Sequence, residues 1–138
     1  MKKNKKILLG LAIFGVISSP MLASARSIGY LNNFKLPAWK GVTSTEYVTK
    51  AATGGATIVN LGTIDGQGTG SYAIDGCLTN SGDSQRSDYV YGIMENTRTA
   101  ISNWSSAKAG YNYKFKCCNH NSVNLNAYVS GSWSPDAN

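Results

Sequence analysis

The stretch from Val123 to Trp133 reads Val-Asn-Leu-Asn-Ala-Tyr-Val-Ser-Gly-Ser-Trp, and its two-residue rhythm decides the fold class. Val123, Leu125, Ala127, Val129 and Trp133 share one parity; Asn124, Asn126, Ser130 and Ser132 share the other, with Tyr128 the exception. Successive side chains of a strand point to opposite faces, so this pattern describes a half-buried strand with its apolar side on a core. Trp133 is in phase with that side and is expected to be core.

Upstream, Tyr111, Tyr113, Phe115 and Cys117 share one face, and Asn112, Lys114, Lys116 and Cys118 the other. The polar triplet Asn119-His120-Asn121 separates the two runs, so they are expected to pair as an antiparallel hairpin. A second hairpin is expected around Asp65-Gly66, joining Ala56–Ile64 to Ser71–Thr79, where Tyr72, Ile74 and Leu78 share a parity. Glu46–Ala52 and Ile28–Leu36 are further strand candidates, the latter stopped by Pro37. Residues 81–110 are ambiguous. Val90, Ile93, Thr97, Ile101 and Trp104 recur at helical spacing, and Asp88 is a candidate cap, but the Tyr, Val, Ile and Thr content and Gly92 favour strands. Strands without long intervening helices predict an all-β protein, a small antiparallel β-sandwich, jelly-roll-like.

The N-terminus has a different character. Lys2, Lys3, Lys5 and Lys6 precede an apolar run from Ile7 to Ile17, followed by Pro20 and Ala23-Ser24-Ala25. A basic region, a short apolar region and an A-x-A site form a secretory signal, expected to be cleaved after Ala25. The apolar run is too short for a span of about 20 residues. Residues 26–138 are then a single secreted domain, with no transmembrane segment in the mature chain. The whole chain carries 13 Lys+Arg against 7 Asp+Glu, a charge of +6; four of the lysines lie before residue 26, which leaves nine against seven, or +2. That is too weak for a nucleic-acid footprint, so no nucleic-acid partner is expected.

The mature part has three cysteines, Cys77, Cys117 and Cys118. In an exported chain a disulfide from Cys77 to one of the other two is the expected use, with the third thiol left over or paired between molecules. The strand phases place Cys77 and Cys118 on the outer face and favour that pair, whose loop of about 40 residues would contribute roughly 4 kcal/mol. Cys117-Cys118-Asn119-His120 is the most unusual cluster, but the paired C-x-x-C spacing of a closed zinc site is absent, and no metal or other cofactor is expected. His120, the single histidine, reads as a solvated turn residue.

Gly66-x-Gly68-x-Gly70 lacks the helix and lysine of a phosphate loop and reads as a turn. Asn103-Trp104-Ser105 matches a glycosylation triplet, a match expected by chance. No G-x-S-x-G elbow is present. Among Glu46, Asp65, Asp75, Asp83, Asp88, Glu95 and Asp136 nothing singles out the facing pair that a glycoside hydrolase needs. Calcium is a weaker use of the same carboxylates. A non-enzymatic protein is expected. Trp39 and Trp104 are candidate exposed binding aromatics, able to stack on a sugar.

Ser130-Gly131-Ser132-Trp133-Ser134-Pro135-Asp136 ends an alternating strand, and Lys40-Gly41-Val42-Thr43-Ser44-Thr45-Glu46-Tyr47-Val48 lies early in the mature part. Both resemble a family of small exported proteins of Gram-positive bacteria that close on a Gly-x-Trp-Ser-Pro-Asp tail and are distantly lactococcin-like. The resemblance implies a compact β-sandwich, with Trp133, Pro135 and Asp136 as core and tail motif, and a bacteriocin-like or bacteriocin-associated role at a bacterial cell envelope. The cysteines depart from that pattern. The alternative, from the aromatics, is an extracellular glycan- or surface-binding module. The partner expected is an envelope component or a glycan.

Overall fold

A computed structural model describes residues 26–66 and 72–137. The expected signal segment, 1–25, and Gly68 and Gly70 lie outside the described residues. Nine strands run in the order β1 (Gly29–Leu36), β2 (Thr43–Ser44), β3 (Val48–Thr49), β4 (Ala56–Asp65), β5 (Ala73–Asn80), β6 (Val90–Met94), β7 (Thr97–Ser102), β8 (Asn112–Asn119) and β9 (Ala127–Ser134), with no helix among the described residues. The all-β expectation holds. No helix of the described residues is long and apolar enough to cross a membrane.

The strands form two antiparallel sheets. One has the order β1-β9-β4-β7; the other has the order β2-β8-β5-β6, with β3 also on β8. Apart from β2 with β3 and β5 with β6, consecutive strands alternate between the sheets, which is the winding of a jelly roll. The inner faces pack Leu31, Val59, Ile101, Val129 and Trp133 of the first sheet against Leu78, Ile93 and Phe115 of the second. The Phe115 and Trp133 rings meet across the core with centroids 6.1 Å apart.

This winding corrects both expected hairpins. β8 pairs with β5, β2 and β3, and β9 pairs with β1 and β4, so β8 and β9 face each other instead of sharing hydrogen bonds. β4 and β5 likewise lie in opposite sheets. Alternation sets which face of a strand is apolar and says nothing about its neighbour; both arrangements bury the same side chains. Leu125 falls in the connection before β9 and is 51% exposed. Of the candidate strand 46–52, only Val48–Thr49 is extended in a sheet.

In 81–110, strands override the helical spacing. Gly92 and Asn96 have φ of 70° and 56°, left-handed conformations that no helix interior accepts. Ile93 and Ile101 still reach the core, from opposite sheets, on either side of the Glu95-Asn96 turn.

Candidate functional site

A cleft of about 640 Å³ opens at the end of the second sheet where β5 ends and β8 begins. That volume lies within the range of about 300–1,000 Å³ found for ligand sites. Four separate segments build it: Tyr47 before β3, Asn80 and Ser81 at the end of β5, Arg86 between β5 and β6, and 106–113 leading into β8. Tyr47 and Tyr111 are 50% and 66% exposed, while Tyr113 beneath them is buried. The backbone ties these segments together. Lys50 N–H donates to Tyr111 O at 2.9 Å, and Gly110 N–H to Lys50 O at 2.8 Å. Gly110 takes φ of 80°, the left-handed turn that glycine allows at no steric cost. The Tyr113 hydroxyl donates to Lys108 O at 3.1 Å. Lys114 Nζ sits 5.4 Å from the centre of the Tyr47 ring and 2.8 Å from Asp83 Oδ1, which helps to hold that ring in place.

Two exposed phenol rings beside Asn80, Ser81, Ser106 and Asn112 offer apolar faces together with neutral donors and acceptors. The lining holds no carboxylate, so the paired acid and base of glycoside hydrolysis have no seat there. The lining offers a ligand stacking faces, hydrogen-bonding groups and positive charge.

On the outer face of the second sheet, Asp75 is buried and forms the centre of a polar network. Its Oδ1 lies 2.6 Å from His120 Nδ1 and accepts from Gly92 N–H at 2.8 Å. Its Oδ2 faces Lys40 Nζ at 3.2 Å, an ion pair without hydrogen-bond alignment. Burial pushes the Asp75 carboxyl up, but the His120 ring, the Gly92 amide and Lys40 outweigh it and hold the group below its usual 3.8. His120 lies in the bend after β8 and its side chain is 37% exposed, as a turn residue should be, but it is also tied to the fold: its N–H donates to Ala73 O at 3.1 Å, which brings the ring diagonally across to Asp75 of β5. A bulge in β6 aims the Gly92 amide at the carboxylate. Lys40 arrives from a tight turn in which Gly41 N–H donates to Ala38 O at 3.1 Å and Trp39 and Lys40 both have φ of 56°. Two adjacent bulky residues in this region cost about 1–3 kcal/mol each, so the turn is held by its partners. One of them is the 2.8 Å bond from Trp39 N–H to Val123 O.

Trp39 is 64% exposed on that turn, and Trp104, 42% exposed, donates from Nε1 to Asp88 Oδ1 at 3.0 Å. Neither lines the cleft, and they sit in different connections. Trp133 is fully buried, as its phase requires. Pro135 and Asp136 clamp the C-terminal segment. The Asp136 carboxylate accepts from Lys50 Nζ at 2.9 Å and from the amides of Ala51 and Ala52 at 2.7 and 3.1 Å. Pro135 O accepts from Lys50 Nζ and, at 2.9 Å, from Asn103 Nδ2. Asn103 of the glycosylation triplet is thus engaged inside the fold.

The three cysteines are free, buried thiols, which corrects the expected Cys77–Cys118 disulfide. Register explains it. Cys77 lies opposite Lys116 and Cys118 opposite Asp75, so the two cysteines are diagonal neighbours. Such pairs are about 7–8 Å apart, beyond the usual Cα separation of a disulfide of about 4.4–6.8 Å. Cys117 points into the core. Burial pushes the Cys77 and Cys117 thiols up, away from the reactive thiolate. Among the described residues no group of three or more His, Cys, Asp or Glu is placed to hold a metal ion.

The cleft was not legible in the sequence. Alternation puts Tyr111 on one face with Tyr113, Phe115 and Cys117, yet it lies one step before β8 and stands exposed, and no spacing links Tyr47 or Arg86 to it. Compared with known proteins, the chain matches no family model, no curated protein and no solved structure.

Proposed function

We propose that this is an exported, non-enzymatic binding protein of the bacterial cell envelope, and that it holds a glycan chain in the Tyr47–Tyr111 cleft. One observation carries the reading: a cleft of about 640 Å³ presents two exposed tyrosine rings among hydroxyl and amide side chains. Ring faces cover the apolar C–H faces of a sugar, and the surrounding polar groups pair with its hydroxyls. The export half of the reading rests on the N-terminal lysines, the apolar run and the Ala23-Ser24-Ala25 site. Bacteriocin-like killing, as distinct from attachment, rests on the tail resemblance alone.

The test is a glycan array and a pull-down on isolated cell envelopes, with the unaltered protein beside Tyr47→Ala and Tyr111→Ala. Retention by the unaltered protein, lost in both variants at unchanged melting temperature, supports the reading. Flat signals for the unaltered protein on every glycan and envelope reject it. Growth inhibition of related strains by the purified protein would add the bacteriocin-like role.

A further inference from the structure

We infer that the cleft's ligand carries an oxyanion, a carboxylate or phosphodiester on its saccharide chain, and that Arg86 and Lys108 bind it. The inference rests on the glycan reading above and specifies its chemistry.

The argument is one of local charge. Arg86 and Lys108 both line the cleft, and no carboxylate does. Elsewhere three lysines near this sheet are neutralised within the protein, Lys40 by Asp75 at 3.2 Å, Lys50 by Asp136 at 2.9 Å, and Lys114 by Asp83 at 2.8 Å; Lys116 of β8 forms no ion pair among the described residues but does not line the cleft. Arg86 and Lys108 form no ion pair among the described residues. Two like charges converging on one concavity without a counterion repel each other, and a bound anion relieves that cost.

Arg86 is also built for the task. It is half-buried, and its backbone is held at both ends: its N–H donates to Leu78 O, and its carbonyl accepts from Trp104 N–H, each at 2.8 Å. Its Nη1 spends one donor on Gln85 O at 2.8 Å. A guanidinium has five N–H donors in a rigid fork, so the rest remain for a planar or tetrahedral oxyanion. A side chain already held in place loses less entropy on binding. The Lys108 carbonyl is fixed by the Tyr113 hydroxyl, which sets the base of its exposed side chain. A net charge of +2 for residues 26–138 is too diffuse for such selectivity; the cleft concentrates it.

The test is calorimetric titration of the purified protein with three soluble polymers: a phosphomannan bearing phosphodiesters, polygalacturonate and neutral dextran. A single-stranded oligonucleotide of matched charge is the fourth titrant. The expected result is binding of at least one anionic polymer in preference to dextran, weakening as salt rises. The polymer preferred identifies the oxyanion. The double variant Arg86→Gln/Lys108→Gln is expected to lose about tenfold in affinity for it at unchanged melting temperature, with Arg86→Lys alone losing less. Dextran binding as tight as the anionic polymers and indifferent to the double variant overturns the inference while the glycan reading stands. Oligonucleotide binding equal to that of the polymers overturns the saccharide assignment. Absence of binding in all four titrations overturns both.

Discussion

Lys50 and Asp136, 86 positions apart, form an ion pair at 2.9 Å in which the lysine side chain is fully buried. The same carboxylate takes two backbone amides of the 51–52 segment, so one side chain bolts the end of β9 to the β3–β4 connection. Removing one partner of such a pair leaves a buried charge without compensation. Asp136→Asn and Lys50→Met are each expected to lower the unfolding free energy by about 3–5 kcal/mol, with the double variant losing less than the sum. Urea denaturation of the four proteins in this cycle checks it, and strictly additive losses would contradict the coupling.

Acid should act through the same carboxylates. Burial pushes Asp136 up, but the Ala51 and Ala52 amides and Lys50 hold it below its ordinary 3.8, and Asp75 is shifted in the same direction. A carboxyl whose folded value is lower than its unfolded value contributes fully above the unfolded value. That contribution is lost as pH falls through the folded one. Stability is therefore expected to stay level from neutrality down to about pH 4 and to decline below it. Thermal melts across that range would show the break, and in Asp136→Asn the decline should be shallower.

Trp133 is fully buried against Phe115 with its indole N–H unpartnered. Trp133→Ala is expected to cost about 3–5 kcal/mol from lost burial and the cavity left behind. Trp133→Phe should cost distinctly less, because it removes a buried donor that makes no hydrogen bond. Chemical denaturation separates the two, and a loss below about 1 kcal/mol for the alanine variant would contradict the packing.

The thiols give a redox prediction. With Cys77, Cys117 and Cys118 all free and buried, a reducing agent should leave the melting temperature unchanged. A thiol reagent should label all three rapidly in denaturant and slowly in the native protein. A shift in melting temperature on reduction, or fewer than three thiols in denaturant, would restore a disulfide.

The Asp75 network gives a fifth handle. His120→Ala removes the partner 2.6 Å from the carboxylate. The His120 side chain is partly exposed, so the loss in stability is expected to be modest, about 1 kcal/mol. The more telling signal is the Asp75 carboxyl, which should titrate at higher pH in the variant by carboxylate NMR. An unmoved Asp75 titration would mean that Lys40 and the Gly92 amide hold it without the ring.

The sequence by itself determined that the chain is a β-protein and which side chains of β8 and β9 face inward. Period-two alternation puts Tyr113, Phe115, Ala127, Val129 and Trp133 on single faces whatever the strands pair with. It carried no information on partners. β8 could pair with the nearby β9 or with β5 some forty positions away and bury the same residues, and only the closure of two sheets over one core selected the jelly roll. The thiols follow the same logic: parity put Cys77 and Cys118 on one face, while register made them diagonal neighbours. Tyr47 and Arg86 belong to two separate connections, and Lys108 and Tyr111 to a third, with no shared spacing. Their cleft exists because the winding brings the ends of β5 and the starts of β3 and β8 to one edge of the molecule, and His120 meets Asp75 for the same reason.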